Sequence, residues 1–217
     1  MSQQKGMYFK VEVKKNVTLE VRFLLYLPEG YDKNKDKYPL MLFLHGMGER
    51  GDMLDLIKKN GPPMKIEQGY KYPFIVVSPQ CPDEELWSVE VLDMLLDEMV
   101  SRYRVKENCI FVTGLSMGGA GTWDLAMAYP DRFAAIVPVC GYTDPAGASK
   151  IKDLPVWVFH GAKDDVVAPE QSVNMVNALK ALGSPVKFTL YPDANHDAWT
   201  ETYNNPELVD WMMGYCQ

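Results

Sequence analysis

Runs of continuous apolar residues, separated by segments of helical periodicity, constrain this chain more than any other feature. The runs are residues 39–44 (P-L-M-L-F-L), 73–78, 109–113, 134–139, 156–159 and 186–190. Continuous rather than alternating apolarity is what a strand carries when both of its faces are covered. Helical patterns lie between them at 87–103, 118–128, 170–182 and 206–213. In the first of these, Val91, Leu92, Leu95, Leu96, Met99 and Val100 recur at helical spacing, with Asp93, Asp97 and Glu98 between. Gly183 stops the third. Two alternating stretches, 8–13 and 18–27, come first, split by Lys14, Lys15 and Asn16, and read as an antiparallel hairpin. A polar loop, 31–37, follows. A hairpin followed by strand–helix alternation predicts an α/β fold: a mostly parallel sheet with helices on both faces. With no repeat, low-complexity tract or linker, residues 1–217 read as a single domain.

Composition narrows the function. Apolar residues make up 47% and charged residues 24%, enough to build a core without staples. The net charge of −7, with 22 Lys and Arg and no basic run, excludes nucleic acid as a partner. No apolar stretch approaches the roughly 18 residues of a membrane span. The first residues lack the apolar core of a leader. The expectation is no membrane association and a cytoplasmic chain as written, secreted or periplasmic if a leader was removed. Cys81, Cys109, Cys140 and Cys216 show no zinc spacing and read as buried, unpaired thiols, with one disulfide left open. There is no H-x-H or H-E-x-x-H, so neither metal nor cofactor is expected.

The run 109–113 leads into G-L-S-M-G, residues 114–118, and then into a helical pattern. G-x-S-x-G in a strand–turn–helix context puts its serine on a strained turn above the sheet, and the flanking glycines make that turn sterically feasible. The following helix aims its N-terminus at the point where negative charge develops. Ser116 is therefore the candidate nucleophile.

A serine hydroxyl needs a base to take its proton. The chain has three histidines, His45, His160 and His196. With this turn the order along the chain is serine, acid, histidine. Only His196 leaves room for an acid after Ser116. His45 and His160 each end a strand before a glycine and read as structural rings beside the site. The acid belongs on the loop after 156–159, H-G-A-K-D-D-V-V-A-P, where Asp164 and Asp165 are both eligible. Asp193 and Asp197 lie too near His196 in sequence to be preferred. For the oxyanion, the candidate donors are the backbone N–H groups of Met117, which follows the nucleophile, and Met47, in the loop L-H-G-M-G-E-R-G.

Together these residues resemble the α/β-hydrolase superfamily over nearly the whole chain. The likeness is strongest to small bacterial esterases grouped with feruloyl esterases, polyhydroxybutyrate depolymerases and "predicted peptidase" esterases related to prolyl oligopeptidases. It is carried by L-H-G-M-G-E-R-G, S-P-Q-C-P followed by Trp87, T-G-L-S-M-G-G-A-G-T-W, F-H-G-A-K-D-D-V-V and H-D-A-W-T-E-T-Y. The resemblance implies that the acid is the fourth residue after the histidine of H-G-x-x-D, which is Asp164. It also places Gln80 and Trp87 near the rim of the site, with Trp87 read equally well as a core residue opening its helix. Trp199 and Tyr203 either line the pocket or pack on the last helix, and His45 joins the residues expected near substrate. Dienelactone hydrolases, a related branch, use a cysteine nucleophile; Ser116 argues against that activity.

The segment 140–155 is too short for a sizeable cap, which predicts an open cleft. The expected function is carboxylester hydrolysis on short-chain or carbohydrate-linked (feruloyl or acetyl) esters, through an acyl-enzyme. A thioesterase or small-peptide hydrolase would use the same triad, and a binding protein with a dead site is disfavoured by the complete set. The expected partner is a small-molecule or polysaccharide-linked ester, and the expected state is a monomer or small homo-oligomer.

Overall fold

A computed structural model describes residues 3–14 and 17–216. The chain opens with β1 (Gln4–Lys14) and β2 (Val17–Tyr26), paired antiparallel. The turn expected at Lys15 and Asn16 lies outside the described residues. There follow β3 (Tyr38–Leu44), α1 (Gly61–Glu67), β4 (Ile75–Pro79), α2 (Val89–Arg102), β5 (Val105–Leu115) and α3 (Met117–Ala128). The chain continues through β6 (Ala135–Val139), β7 (Val156–Gly161), α4 (Glu170–Ala181), β8 (Val186–Tyr191), α5 (Trp199–Asn204) and α6 (Glu207–Met213).

The strands form one sheet in the order β1-β2-β4-β3-β5-β6-β7-β8, parallel from β4 onward. The apolar runs behave as their composition requires, since β4, β6 and β7 are buried at every position. Successive side chains of β3 feed opposite sides of the sheet. Leu40, Leu42 and Leu44 join Leu95 of α2, Trp123 of α3 and Leu179 of α4 in one core. Met41 and Phe43 join Ile66 of α1, Tyr203 of α5 and Met212 of α6 in the other. Each fully buried large side chain contributes on the order of 1.5–3 kcal/mol.

Three local expectations are corrected. The run 186–190 is an edge strand, half-exposed rather than covered on both faces, because among the described residues nothing pairs beyond β8. Helices α1 and α5 arise where no helical pattern was read. Two of the four cysteines, Cys109 and Cys216, are joined in a disulfide, with Cα atoms 4.9 Å apart; Cys81 and Cys140 are free and buried.

The sheet order fixes where chemistry can occur. From β3 the chain steps to β4 on one side and then to β5 on the other, so the direction of winding reverses between β3 and β5. Loops leaving the carboxyl ends of two such strands diverge and open a crevice. Leu44 of β3 pairs with Gly114 of β5, which sets the loop after residue 44 beside the turn at residue 116. The β6–β7 connection holds only a short 3₁₀ turn, Pro145–Ile151, and builds no cap over that crevice. Among the described residues no helix is long and apolar enough to cross a membrane.

Candidate active site

Ser116 sits between β5 and α3 with φ 55° and ψ −118°, a conformation costing roughly 1–3 kcal/mol for a residue with a side chain. It is held there by its own N–H, which donates to the Val139 carbonyl at 2.9 Å, and by its carbonyl, which accepts from Ala120 N–H at 3.0 Å. A Cβ at Gly118 would collide with the Leu44 carbonyl, so the turn can pack this close to β3 only with glycine there. The result lifts the Ser116 hydroxyl into the crevice.

His196 comes from the loop after β8. Its Nε2 lies 2.9 Å from Ser116 Oγ, and its Nδ1 lies 2.7 Å from Asp164 Oδ2. The loop reaches this position because Gly161 ends β7; a side chain there would strike the carbonyl of Asn195. The His196 carbonyl accepts from the Cys140 thiol at 3.2 Å, which anchors the loop from below. The Trp199 ring stands edge-on to the imidazole, centroids 5.2 Å apart.

Spacing left Asp164 and Asp165 level, and the backbone separates them. Asp164 turns inward with a fully buried carboxylate, and Asp165 is exposed. Asp164 Oδ1 accepts the N–H groups of Val166 and Val167, both at 2.9 Å. Burial alone would raise this carboxyl, but the bond from His196 and the two backbone N–H bonds outweigh it and hold the group below the ordinary carboxylate value. Because the Asp164 oxygen can only accept, His196 carries its proton on Nδ1 and presents a bare Nε2 to the serine. Asp193 pairs with Lys163 at 2.7 Å, and Asp197 receives the N–H and O–H of Thr200 at the start of α5.

Met117 opens α3 and Met47 opens a 3₁₀ turn, Met47–Glu49, so neither N–H has an intrahelical acceptor. The two loops touch: a Cβ on Gly46 would lie 3.6 Å from Ser116 Cβ. The crevice between them, about 480 Å³, is lined by Met47, Leu115, Ser116, Met117, Val166 and His196, with Tyr142 and Trp199 at its sides.

Of the residues expected near substrate, Trp199 lines the crevice and three others do not. His45 is buried; its Nδ1 donates to the Gly46 carbonyl at 2.7 Å and its Nε2 accepts Cys81 N–H at 3.0 Å. Burial lowers its pKa to about 4, against the opposing Gly46 hydrogen bond, so the ring is a neutral strut between two loops. Trp87 donates Nε1–H to the His45 carbonyl at 3.2 Å, and Gln80 donates to the Glu49 carbonyl. Both line a separate apolar pocket away from the crevice, with their side-chain N–H groups donating to the backbone of that loop. Tyr203 is buried against α1 and β5, with its hydroxyl 2.9 Å from Thr113 Oγ1. Sequence reasoning missed Tyr142, Val166 and Cys140. The available signal for the first and last was position, since both stand at the carboxyl end of β6.

The potential ligand atoms of Cys140, Asp164 and His196 lie within 4.8 Å of one another, but Oδ2 and Nδ1 are already bonded together. Burial pushes the Cys140 thiol up to about 12, leaving it protonated and unfit as a nucleophile at neutral pH.

The model of the dienelactone hydrolase family matches residues 78–211, which include Ser116, Asp164 and His196. A probable feruloyl esterase C of Aspergillus terreus is 25% identical over 163 residues, covering 71% of this chain and 59% of that protein. The bifunctional acetylxylan esterase/xylanase XynS20E of Neocallimastix patriciarum is 26% identical over 155 residues, covering 68% of this chain and 22% of that one. Among solved structures, a thermostable esterase superposes with a TM-score of 0.83 at 31% identity, covering 98% of this chain and 63% of that chain. The chain thus spans less than two thirds of the length of each of these proteins.

Proposed function

The chain belongs to the dienelactone hydrolase family, and from that premise we propose that it is a serine carboxylesterase working through an acyl-enzyme, with Ser116, His196 and Asp164 as its triad. Family membership sets the fold; the chemistry is read from this chain's own nucleophile, a serine. The observation that carries the reading is the unbroken relay of 2.9 Å from Ser116 Oγ to His196 Nε2 and 2.7 Å from Nδ1 to Asp164.

In the first half-reaction Ser116 Oγ attacks the ester carbonyl as its proton passes to His196 Nε2. The imidazolium is stabilised by the Asp164 carboxylate. The carbonyl oxygen takes the negative charge and is held by the N–H groups of Met47 and Met117. The intermediate collapses, His196 protonates the departing alcohol, and the acyl group remains on Ser116. Water then enters, gives its proton to His196 and releases the acid by the reverse sequence. No step calls for a metal or a cofactor.

The substrate reading rests on the crevice. It has no cap, its rim carries the exposed apolar side chains Met47, Val166 and Tyr142, and the Trp199 ring is next to the base. Such a mouth suits a compact or aromatic acyl group whose alcohol remains in solvent. Feruloyl and acetyl esters on carbohydrate fit this description, in line with the names of the two curated relatives. A panel of p-nitrophenyl esters, acyl thioesters, peptide anilides and feruloyl- or acetyl-sugars tests it. Acetate, butyrate and feruloyl esters should turn over fastest. Faster cleavage of palmitate, or of anilides over esters, would contradict the reading.

A further inference from the structure

The Asp164 carboxylate is approached by two imidazoles. His196 Nδ1 stands 2.7 Å from Oδ2, and His160 Nε2 stands 3.1 Å from the same oxygen, with the His160 and Asp164 side chains both fully buried. His160 Nε2 also lies 2.9 Å from the Val167 carbonyl. Its Nδ1 is 2.7 Å from the hydroxyl of Ser172 on α4, which is itself buried. Both oxygens facing Nε2 are acceptors only, so Nε2 must carry a proton. The Ser172 hydroxyl can then donate to Nδ1 and fix the ring.

We propose that His160 is a positioning residue for the reaction proposed above: it holds the Asp164 carboxylate in the orientation that His196 requires. It acts at two points. Through the Val167 carbonyl it pins the turn whose Val166 and Val167 N–H groups bind Oδ1. Through its Nε2–H edge it places partial positive charge beside Oδ2. The carboxylate is thereby enclosed by His196, His160, the two backbone N–H groups and the neighbouring Cys140 thiol. A group locked this fully has no second rotamer to visit, which is the outer support a catalytic constellation needs. Without His160, the turn that presents the Val166 and Val167 N–H groups loses its pin and Oδ2 loses the positive edge beside it, so the carboxylate is free to turn away from His196.

The test needs one readout that does not depend on turnover. With three histidines in the chain, the imidazole region of a ¹⁵N-histidine spectrum is sparse enough to follow each ring. In the wild-type chain the Nδ1–H of His196, bridged to Asp164, should give a protected downfield proton resonance. In His160→Phe that resonance should be lost to exchange. With a turned-over ester, kcat should fall about ten- to a hundredfold with little change in KM. His160→Gln, which can still extend an N–H towards Val167 and Asp164, should recover the resonance and most of kcat. Ser172→Ala, which only frees the ring to turn, should give an intermediate loss and decides the matter should the phenylalanine variant fail to fold. A wild-type resonance and wild-type kcat in both His160→Phe and Ser172→Ala would overturn the proposal, as would His160→Gln behaving like His160→Phe. If no ester is cleaved by any form while the resonance still vanishes in His160→Phe, the positioning stands and the esterase reading falls.

Discussion

Replacing Asp164 with asparagine changes one atom and reverses the hydrogen-bond logic around it. The amide group facing Nδ1 either donates to it, forcing the wrong histidine tautomer, or accepts without charge to stabilise the imidazolium. By analogy with the serine-protease triad, Asp164→Asn should lower kcat by about 10⁴-fold. Asp165→Asn, at an exposed position, should leave it near wild type. Steady-state rates on p-nitrophenyl butyrate decide between them, and the opposite pattern would exchange their roles. The serine and histidine proposed as nucleophile and base were both singled out in the sequence, because the turn motif and the order of residues admit one serine and one histidine. Which aspartate bonds His196 was not legible from spacing, since the orientation of two adjacent aspartates depends on which one caps the N–H groups of Val166 and Val167. His45 is the structural ring its place before Gly46 suggests, and Trp87 packs on the core at the start of its helix, whereas Gln80 was traced to the right loop but to the wrong side of it, because a sequence does not show which way a side chain at a loop root turns.

At the scale of elements, His45 joins the loop after β3 to the segment after β4, and its bond from Cys81 N–H needs an unprotonated Nε2. Folded, the ring resists protonation down to about 4. Unfolded, it protonates near the ordinary value of about 6.5. Between these values the unfolded chain binds more protons, so stability contributed by this site falls as pH drops from about 6.5 towards 4. Urea midpoints measured at pH 7 and pH 5 should show a loss in the wild-type chain that shrinks in His45→Gln; equal losses would remove His45 as the cause. The same scale shows where element prediction fails. The apolar runs announced every central strand, but β5 begins at Val105, where Lys106, Glu107 and Asn108 emerge beyond the cover of the helices and mask the strand pattern. Helix α1 starts Gly-Pro-Pro, which reads as a loop, and α5 lasts only six residues, too few for a period to register.

For the molecule as a whole, the Cys109–Cys216 link fastens the chain's end to a central strand across 107 residues of sequence. Closing so long a loop restricts the unfolded chain and should contribute about 2–4 kcal/mol. Cys216→Ser, or reductant in the wild type, should lower the guanidinium midpoint accordingly; unchanged midpoints would show that the link adds nothing. No pattern in the sequence foretold the pairing, because it depends on α6 bringing residue 216 back to β5. The mostly parallel sheet, by contrast, follows from the alternation of strands and helices, and the order in which its strands are laid side by side brings three distant side chains to one crevice. That convergence is the central claim, and covalent labelling with a fluorophosphonate tests it most directly. Mass spectrometry should find a single adduct, on Ser116, formed rapidly by the wild type, absent in Ser116→Ala and greatly slowed in His196→Ala, with all three forms melting at similar temperatures. Absence of an adduct from the folded wild type, or an adduct on another residue, would contradict the account.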